Sequence, residues 1–292
     1  MIASPAGNPP AVTDTVPTIA LPGGRPIPVL GLGTWGFAED PTRRADEVAT
    51  LRAGLEAGLA LVDTAEMYAD GGAQELVGEA LAGRRDEAFV VDKVLPSDAS
   101  RRGTVDACER ALRRLRTDRI DLYLLHWRGR HPLADTVAAF EELRDAGKIR
   151  HWGVSNLDVD DLTELVALPD GDHVATDQIL YNLTRRGPEW DLLPWADRRD
   201  LPVMAYSPLE QNRVLGDATL AEVAGRHGAT PAQIAIAWVL DRPGVVAIPK
   251  ASTPARVTEN HGALGISLTD DDRATLDATF PPPTRKRRLE IL

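Results

Sequence analysis

Eight short apolar runs alternate with longer helical stretches along this chain, and this alternation limits the possible folds more than any other feature. The runs are continuous in Val, Ile and Leu, which is typical of parallel strands that are covered on both faces. The predicted strands are Val29–Leu32, Leu59–Val62, Phe89–Val91, Leu122–Leu125, Ile149–Val154, Val174–Gln178, Val203–Tyr206 and Val245–Ile248. The predicted helices are Thr42–Ala57, Gln74–Leu81, Val105–Leu115, Asp135–Ala146, Asp158–Leu168, Leu192–Asp197, Leu220–Arg226 with Pro231–Leu240, and Pro254–Leu264.

Eight strand–helix units in roughly 250 residues are the number that a (β/α)8 barrel, an α/β fold, requires. Before the first unit, Thr18–Leu21 and Pro26–Leu30 flank the Gly23-Gly24 turn. This pattern predicts a β-hairpin, which we expect to close the bottom of the barrel. A doubly wound sheet with six or seven strands is the structural alternative.

The ends of the chain differ in composition from its middle. Residues 1–15 are rich in Pro and Gly with few large apolar side chains, which predicts a flexible tail. At the other end Pro281–Pro283 precedes the basic run Arg285–Arg288, which we interpret as a solvated tail at 281–292. No linker rich in Pro, Gly or Ser divides the middle of the chain, so we predict a single barrel domain at 16–280.

Composition and charge exclude several classes of protein. Among 292 residues, 33 are Lys or Arg and 44 are Asp or Glu, which gives a net charge of −11 and makes nucleic acids and anionic membranes poor partners. The single cysteine, Cys108, excludes an intrachain disulfide and any metal site with several cysteine ligands. The sequence has no apolar run of about 18 residues and no secretory leader. We therefore expect a cytoplasmic protein, with a monomer as the default state.

The segment Gly31–Gly36 matches the G-x-G-x-x-G pattern of dinucleotide-binding turns and follows a predicted strand. In that motif the glycine turn opens a helix at once, so that the pyrophosphate meets the helix N-terminus. Here Phe37–Pro41 intervenes before the predicted helix, and the acidic residue nearest the expected position, Glu56, lies inside that helix. The pattern therefore predicts a turn at the mouth of the first strand rather than a nucleotide-binding fingerprint.

Polar or titratable side chains follow almost every predicted strand, although a structural core does not require them. In a barrel the working residues lie at the C-terminal ends of the strands. Asp63 and Tyr68 follow the second strand, Lys93 follows the third and His126 follows the fourth. The later strands supply further polar side chains: Ser155, Asn156, Gln178, Tyr206, Ser207 and Lys250.

Asp63, Tyr68, Lys93 and His126 form a set suited to the reduction of a carbonyl group. A lysine beside a carboxylate stays charged, and a cation beside a phenol lowers the pKa of Tyr68 towards the working range. Such a tyrosine donates a proton to the developing alkoxide, a neutral histidine hydrogen-bonds the same oxygen, and a cofactor supplies the hydride. Each residue alone also fits a structural role, but their succession at strand ends favours catalysis.

The motifs and their order resemble the aldo-keto reductase family over roughly residues 18–280. The resemblance rests on Gly31–Trp35, Asp63–Tyr68, Gly78–Leu81, Lys93, Leu124–Trp127, Gly147–Arg150, Gly153–Asn156, Ala205–Leu209, Ile248–Lys250, Arg256 and Glu259-Asn260. Within the family, Asp63–Ala73 and Leu192–Ala196 are most similar to bacterial members of the methylglyoxal reductase type, with 2,5-diketogluconate reductase-like members next to them. The resemblance implies NADPH-dependent reduction of an aldehyde or ketone, with small aldehydes such as methylglyoxal as candidate substrates.

The resemblance also implies a role for each matching residue. Tyr68 is implied as the proton donor, Lys93 and Asp63 as the pair that lowers its pKa, and His126 as the group that orients the carbonyl. The implied contacts with the NADP(H) cofactor are Gly33, Thr34, Ser155, Asn156, Gln178, Tyr206, Ser207, Leu209, Lys250, Ser252, Arg256, Glu259 and Asn260. The aromatic residues expected at the substrate mouth are Trp35, Trp127 and Phe37.

Two cations near one dianionic phosphate, Lys250 and Arg256, favour NADP over NAD. Two departures from the family pattern bear on cofactor binding. The serine that often follows the lysine of the last strand is Ala251 here, so either the preference for NADP is weaker or Ser252 replaces that serine. The stretch Leu209–Gly216 is short, which predicts rapid exchange of the cofactor because no long loop clasps it.

Other function classes compete with a reductase. A metal-dependent hydrolase on the same barrel needs clustered His and carboxylate ligands. The six histidines lie on different predicted elements with no H-x-H pair, so we predict no metal site. A non-catalytic, regulatory barrel that binds the cofactor is a second alternative, and a biosynthetic ketoreductase acting on a specialised metabolite is a variant of the first interpretation.

Overall fold

An eight-stranded parallel sheet forms the centre of the computed structural model, which describes residues 15–23 and 26–292. The strands are β1 (Thr18–Ala20), β2 (Pro26–Pro28), β3 (Gly31–Gly33), β4 (Leu61–Asp63), β5 (Phe89–Val94), β6 (Ile120–Leu125), β7 (Ile149–Ser155), β8 (Asp177–Leu180), β9 (Val203–Tyr206) and β10 (Val245–Ala247). The helices are α1 (Arg44–Glu56), α2 (Gly72–Ala80), α3 (Arg101–Leu115), α4 (Leu133–Asp145), α5 (Val159–Val166), α6 (Leu192–Asp197), α7 (Ala218–Arg226), α8 (Pro231–Leu240), α9 (Pro254–His261) and α10 (Asp270–Thr279).

The sheet closes into a barrel through contacts between its first and last strands. Strands β3 to β10 pair in chain order, and parallel bridges join Leu30 to Ala247 and Gly33 to Lys250. The Ala247 N–H donates to the Val29 carbonyl at 2.8 Å across the same seam. This closure confirms the predicted (β/α)8 barrel, because a doubly wound sheet has two free edges.

The predicted N-terminal hairpin is present as β1 and β2, which pair antiparallel with Ile19 opposite Ile27. Residues 24–25 of its turn lie outside the described residues. Leu21 and Ile27 are buried in the apolar cluster inside the barrel, together with Leu61 and Phe89 at the starts of their strands. The hairpin therefore closes the N-terminal end of the barrel and leaves the opposite end, where the strands finish, open to ligands.

Alternation along β5 determines what reaches the centre of the barrel. Successive side chains of a strand point to opposite faces: Phe89 and Val91 join the interior cluster, whereas Val90 and Val94 pack in the outer layer between sheet and helices. Lys93 continues the inward face and is completely buried. Because side chains alternate between the two faces of β5, the charged side chain of Lys93 points into the middle of the barrel.

Several element boundaries differ from the predicted ones. Helix α3 begins at Arg101 rather than Val105, because the Ser100 hydroxyl caps it by accepting from the Gly103 N–H at 3.1 Å. Helix α10 was not predicted, although Thr269 and Asp272 form a capping box that is visible in the sequence. Strand β4 starts two residues later than predicted, and β8 starts three residues later.

Three further expectations concern the glycine-rich turn, the N-terminal tail and membrane-spanning helices. Gly31–Gly33 forms strand β3, and the predicted turn follows it at Trp35 and Gly36, before α1 begins at Arg44. The tail predicted at 1–15 lies outside the described residues except for residue 15. None of the described helices has the length and apolar character needed to cross a membrane.

Replacing Ile27 by alanine tests the hairpin as the closure of the barrel. Ile27 is fully buried, and truncating such a side chain costs about 2–5 kcal/mol because a cavity remains. We expect that loss in the free energy of unfolding from urea titration. Ile19→Ala on the partly exposed position opposite is the control, with a loss below about 1 kcal/mol. Equal losses in the two variants contradict this account of the hairpin.

Candidate active site

A cavity of about 400 Å³ opens at the C-terminal ends of the barrel strands. Most of the residues predicted from strand ends line it: Gly33, Trp35, Asp63, Tyr68, His126, Trp127, Ser155, Asn156, Gln178, Tyr206, Ser207, Leu209, Lys250 and Ser252. The volume is in the range of small-molecule and cofactor sites. The fold thus gathers residues that are far apart in sequence around one space.

Lys93 and Asp63 form a buried ion pair at the floor of this cavity. The Lys93 ammonium lies 2.8 Å from each carboxylate oxygen of Asp63 and donates to the Thr64 carbonyl at 2.9 Å. It also lies 3.3 Å from the Tyr68 hydroxyl. The Gln178 side-chain N–H donates to Asp63 Oδ1 at 2.7 Å, so the carboxylate is held from the far side of the barrel as well.

The predicted lowering of the pKa of Tyr68 is wrong for the protein alone. Burial raises the pKa of Tyr68 above 10, and the charge of Lys93 offsets this only in part. Burial is the main reason for this direction. In addition both oxygens of Asp63 bind Lys93, and their negative charge acts against the lysine at the phenol. Tyr68 therefore holds its proton at neutral pH, which is the state that a proton donor must have.

Lys93 itself stays charged as predicted. Burial works to lower its pKa, but the contacts with Asp63 and Tyr68 outweigh burial and raise the pKa of Lys93. Taking an ammonium group out of water costs several kcal/mol, and only a close carboxylate and further hydrogen bonds repay that cost. The two side chains therefore stay together, because separating them would leave each charge buried without a partner.

The backbone turn that carries Tyr68 is unusual. Ala69 and Asp70 have φ of 49° and 51°, and Gly71 follows with φ of 88°. Glycine is favoured at Gly71 because a residue with a Cβ atom is strained at this φ, and that Cβ would also meet the Arg114 guanidinium. Three successive left-handed residues aim the tyrosine at the ion pair, and strained backbone of this kind persists where the surroundings hold it.

His126 is neutral in this environment, as expected. Burial, with a smaller contribution from the charge of Lys93, lowers the pKa of His126 to about 3. Its ring centre lies 6.0 Å from that of Tyr68, and the two rings are nearly perpendicular. Its Nδ1 atom is buried and finds no hydrogen-bond partner among the described residues. The imidazole thus faces the cavity beside the phenol without a charge.

Three of the predicted cofactor contacts, Ser155, Asn156 and Gln178, belong to one hydrogen-bond network. The Ser155 hydroxyl donates to the Gln178 carbonyl at 2.8 Å and lies 3.0 Å from Asn156 Nδ2. The Tyr206 hydroxyl donates to Asn156 Oδ1 at 3.0 Å. Asn156 has φ of 61°, a conformation that asparagine tolerates better than most residues. These contacts hold the polar groups in place before any ligand binds.

At the other end of the cavity, Lys250 is a cation whose charge is not fully compensated. Lys250 is an exposed residue, but desolvation of its ammonium lowers its pKa more than the nearby carboxylate of Glu47 raises it. Its ammonium lies 5.3 Å from the centre of the Phe37 ring. Such a cation beside the polar backbone of Ser252 suits an anionic group such as a phosphate.

Six predicted residues do not line the cavity. One of them, Lys93, is fully buried beneath its floor in the ion pair with Asp63. Thr34 is fully buried, and its hydroxyl donates to the Asp63 carbonyl at 2.9 Å, so it braces the strand end. Phe37 is buried beneath Lys250, which corrects its expected place at the substrate mouth. Arg256, exposed on α9, pairs with Glu259, and Asn260 is buried with Nδ2 unpartnered among the described residues.

Sequence reasoning missed other residues that line the cavity: Met67, Pro208, Gln211, Asn212, Ile248, Pro249, Ile291 and Leu292. Ile291 and Leu292 belong to the predicted solvated tail. Their apolar side chains at the end of an otherwise basic stretch are the feature of the sequence that could have indicated a contact with the cavity. Arg43 was missed as well, and it donates to the Ser252 carbonyl at 3.3 Å beside Lys250. Because Arg43 stands next to a second arginine, Arg44, the sequence does not single it out.

A family model described as "Aldo/keto reductase family" matches residues 29–280 of this chain. The chain belongs to the aldo/keto reductase family. The match covers the whole barrel except the hairpin, and the sequence resemblance to this family is thereby confirmed. The predicted catalytic residues all lie within the matched range: Asp63, Tyr68, Lys93 and His126.

Individual aldo/keto reductases are similar over nearly their whole length. Methylglyoxal reductase YeaE of Escherichia coli (strain K12) is 51% identical over 271 residues, which cover 91% of this chain and 95% of that protein. An aldo/keto reductase from Klebsiella pneumoniae, solved with NADP and acetate, is 49% identical with a TM-score of 0.92, covering 94% and 99% of the two chains. A Klebsiella pneumoniae aldo-keto reductase solved with NADPH is 48% identical with a TM-score of 0.93, covering 95% and 99%.

The neutrality of His126 predicts a pH dependence of stability. Because its pKa falls from 6.5 to about 3 on folding, the unfolded chain binds a proton between these values that the native protein does not bind. Stability therefore falls as the pH is lowered through this window. From pH 7 to pH 5 we expect the unfolding free energy of the wild type to drop by about 2 kcal/mol more than that of His126→Gln. Parallel urea titrations measure the difference, and equal drops contradict a neutral His126.

Proposed function

We propose that this aldo/keto reductase reduces small, uncharged aldehydes and ketones, methylglyoxal among them, with NADPH as the hydride donor. The observation that carries the proposal is the Tyr68 hydroxyl at 3.3 Å from Lys93, whose ammonium is held by both oxygens of Asp63. This acid stands in a cavity beside a neutral histidine. The similarity to a protein named methylglyoxal reductase supports the choice of substrate.

Tyr68 acts as the proton donor in this proposal. A carbonyl oxygen bound between the phenol of Tyr68 and the ring of His126 gains negative charge as the carbonyl is reduced. The phenol hydrogen bond strengthens as that charge grows, and the proton moves to the oxygen. Lys93 then stabilises the phenolate that remains, because its ammonium is already at hydrogen-bond distance.

The cavity residues fit a nicotinamide cofactor. Bound NADPH supplies the hydride. Ser155, Asn156 and Gln178 offer amide and hydroxyl groups for the carboxamide, and Tyr206 offers an aromatic face for the ring. Lys250 provides the charge for the 2′-phosphate. The NADP and NADPH complexes of the Klebsiella pneumoniae proteins support this assignment.

Two expectations about the cofactor follow from the departures in sequence. Ser252 lines the cavity beside Lys250, so it takes the position that Ala251 leaves without a hydroxyl. We assign the remaining phosphate charge to Arg43, which contacts the Ser252 carbonyl, rather than to Arg256, which is paired with Glu259. Rapid exchange of the cofactor stays a prediction.

The substrate end of the cavity favours uncharged molecules. Its rim carries large apolar side chains, several of them more than two-fifths exposed: Trp35, Met67, Ile291 and Leu292. Among the described residues that line the cavity, Lys250 is the one charged cation, and it stands on the phosphate side. A carboxylated substrate such as a sugar acid finds no counter-charge at this rim, whereas a small aldehyde needs none.

Several properties of the protein stay predictions. These are the cytoplasmic location, the monomeric state, the absence of nucleic-acid and metal partners, and the division into tails and one barrel domain. Residues 281–292 are mostly exposed, as expected of a tail. They nevertheless contact the barrel, since Lys286 pairs with Asp191 at 3.0 Å.

Tyr68→Phe tests the proton donor. Removing one hydroxyl leaves the ring and the cavity walls unchanged but takes away the acid, whose contribution is about 10²- to 10⁴-fold. We expect kcat for methylglyoxal to fall by that factor while NADPH binding, followed by fluorescence, changes little. Turnover within about threefold of the wild type refutes Tyr68 as the donor.

Lys250→Met tests the phosphate site. A hydrogen bond to a charged group contributes about 1.5–3 kcal/mol, so the Kd for NADPH is expected to rise about 10- to 100-fold. The Kd for NADH is expected to change little, because NADH lacks the 2′-phosphate. Lys148→Met, outside the cavity and paired with Glu109, is the matched control. Equal changes for both cofactors refute the assignment of Lys250 to the phosphate.

A further inference from the structure

Two stretches that border the cavity meet at a single arginine. The first is the 207–212 loop, which follows β9 and contributes Ser207, Leu209 and Asn212 to the cavity wall. Four of its six residues have a left-handed backbone: Ser207 (φ 49°), Glu210 (φ 47°), Gln211 (φ 53°) and Asn212 (φ 69°). Residues with side chains rarely adopt this conformation, so the loop needs an anchor.

Glu210 is that anchor. Its side chain is buried, with 4% of the residue exposed. The carboxylate accepts from Asn182 Nδ2 at 2.9 Å and from Arg185 Nε and Nη2 at 3.1 and 2.9 Å. Asn182 Nδ2 also donates to the Ser207 carbonyl at 2.9 Å, at the start of the same loop. The loop is thus held in its strained form by partners from the segment after β8.

Arg185 has one further arm, which reaches the second stretch. Its Nη1 donates to Glu290 Oε1 at 2.7 Å. The next two residues, Ile291 and Leu292, line the cavity, and the Leu292 N–H lies 3.5 Å from the Tyr206 hydroxyl. One guanidinium therefore binds Glu210, within the loop on the cofactor side, and Glu290, which precedes the two apolar residues on the substrate side.

We propose that Arg185 is a positioning residue that couples the 207–212 loop to the apolar substrate wall formed by Ile291 and Leu292. The Glu210 arm fixes the loop, and the Glu290 arm places the two apolar side chains over the cavity. The inference rests on the proposed function, because it assigns Ile291 and Leu292 to recognition of the apolar part of a carbonyl substrate. The inference predicts that loss of the contact between Arg185 and Glu290 weakens the binding of long substrates more than that of short ones.

The solvent exposure of the Arg185–Glu290 pair determines how large an effect on substrate binding we expect. The Arg185–Glu290 pair is partly exposed, with about a third and a half of the side chains accessible, and exposed pairs contribute little on their own. Arg185 is already oriented by buried Glu210, however, so less side-chain freedom is lost when Glu290 binds. We therefore expect a few-fold change in substrate binding and no change in the chemical step.

The test compares two aldehydes of different length in three variants, with NADPH in excess. Glu290→Gln removes one arm, Arg185→Met removes both, and Arg273→Gln breaks an exposed pair with Asp241 elsewhere as the control. For Glu290→Gln we expect KM for hexanal to rise about two- to fivefold, with kcat and the KM for methylglyoxal unchanged. Arg185→Met is expected to show the same split and, in stopped flow, faster release of NADPH.

The outcomes separate this inference from the proposed function. A wild-type protein that oxidises NADPH with neither aldehyde defeats the proposed function. A wild type that reduces both, with an unchanged KM for hexanal in Glu290→Gln, overturns the positioning role alone. Equal rises in KM for both aldehydes also overturn it, since a general loss of structure affects substrates of every length. If Arg185→Met does not fold, the Glu290→Gln result still decides.

Discussion

A charged lysine at the buried centre of the barrel is the constraint on which the site depends. Lys93 is fully buried, and an ammonium group in such a place is stable only beside a carboxylate and further acceptors. Asp63 from the neighbouring strand supplies both oxygens, and Gln178 holds that carboxylate from β8 across the barrel. Closure of the sheet is thus a condition of the chemistry, because these three residues meet only inside a closed barrel.

The compensation of charge at this pair explains the character of the rest of the cavity. Burial, helped by the charge of Asp63 opposite Lys93, lets the phenol of Tyr68 keep its proton, and burial leaves His126 neutral. The floor of the cavity therefore offers two uncharged groups to a carbonyl oxygen. Its phosphate end carries the uncompensated charge of Lys250, and its rim is apolar. Charge thus decreases along the cavity from the cofactor side to the substrate side.

Much of this arrangement could be predicted from sequence, because parallel strands leave a local signal. A period of two places Lys93 and Asp63 on inward faces, and strand ends gather at one end of a barrel. Other features depend on distances that no local pattern encodes. Gln178 binds Asp63 across 115 positions of sequence. The direction of the Tyr68 pKa shift depends first on how deeply the fold buries the phenol and then on where both Asp63 oxygens lie. The contact of Glu290 with Arg185 lies in a stretch whose basic composition indicates a solvated tail.

The most direct test of the central claim is an ultraviolet difference titration that follows ionisation of Tyr68 in the protein without cofactor. The chain has four tyrosines, so the spectrum of Tyr68→Phe is subtracted from that of the wild type at each pH. Because burial outweighs a lysine already compensated by Asp63, the phenolate signal of Tyr68 is predicted to appear only above pH 10. A signal that develops near neutral pH would contradict the account, since it would show that the charge of Lys93 acts on the phenol without compensation.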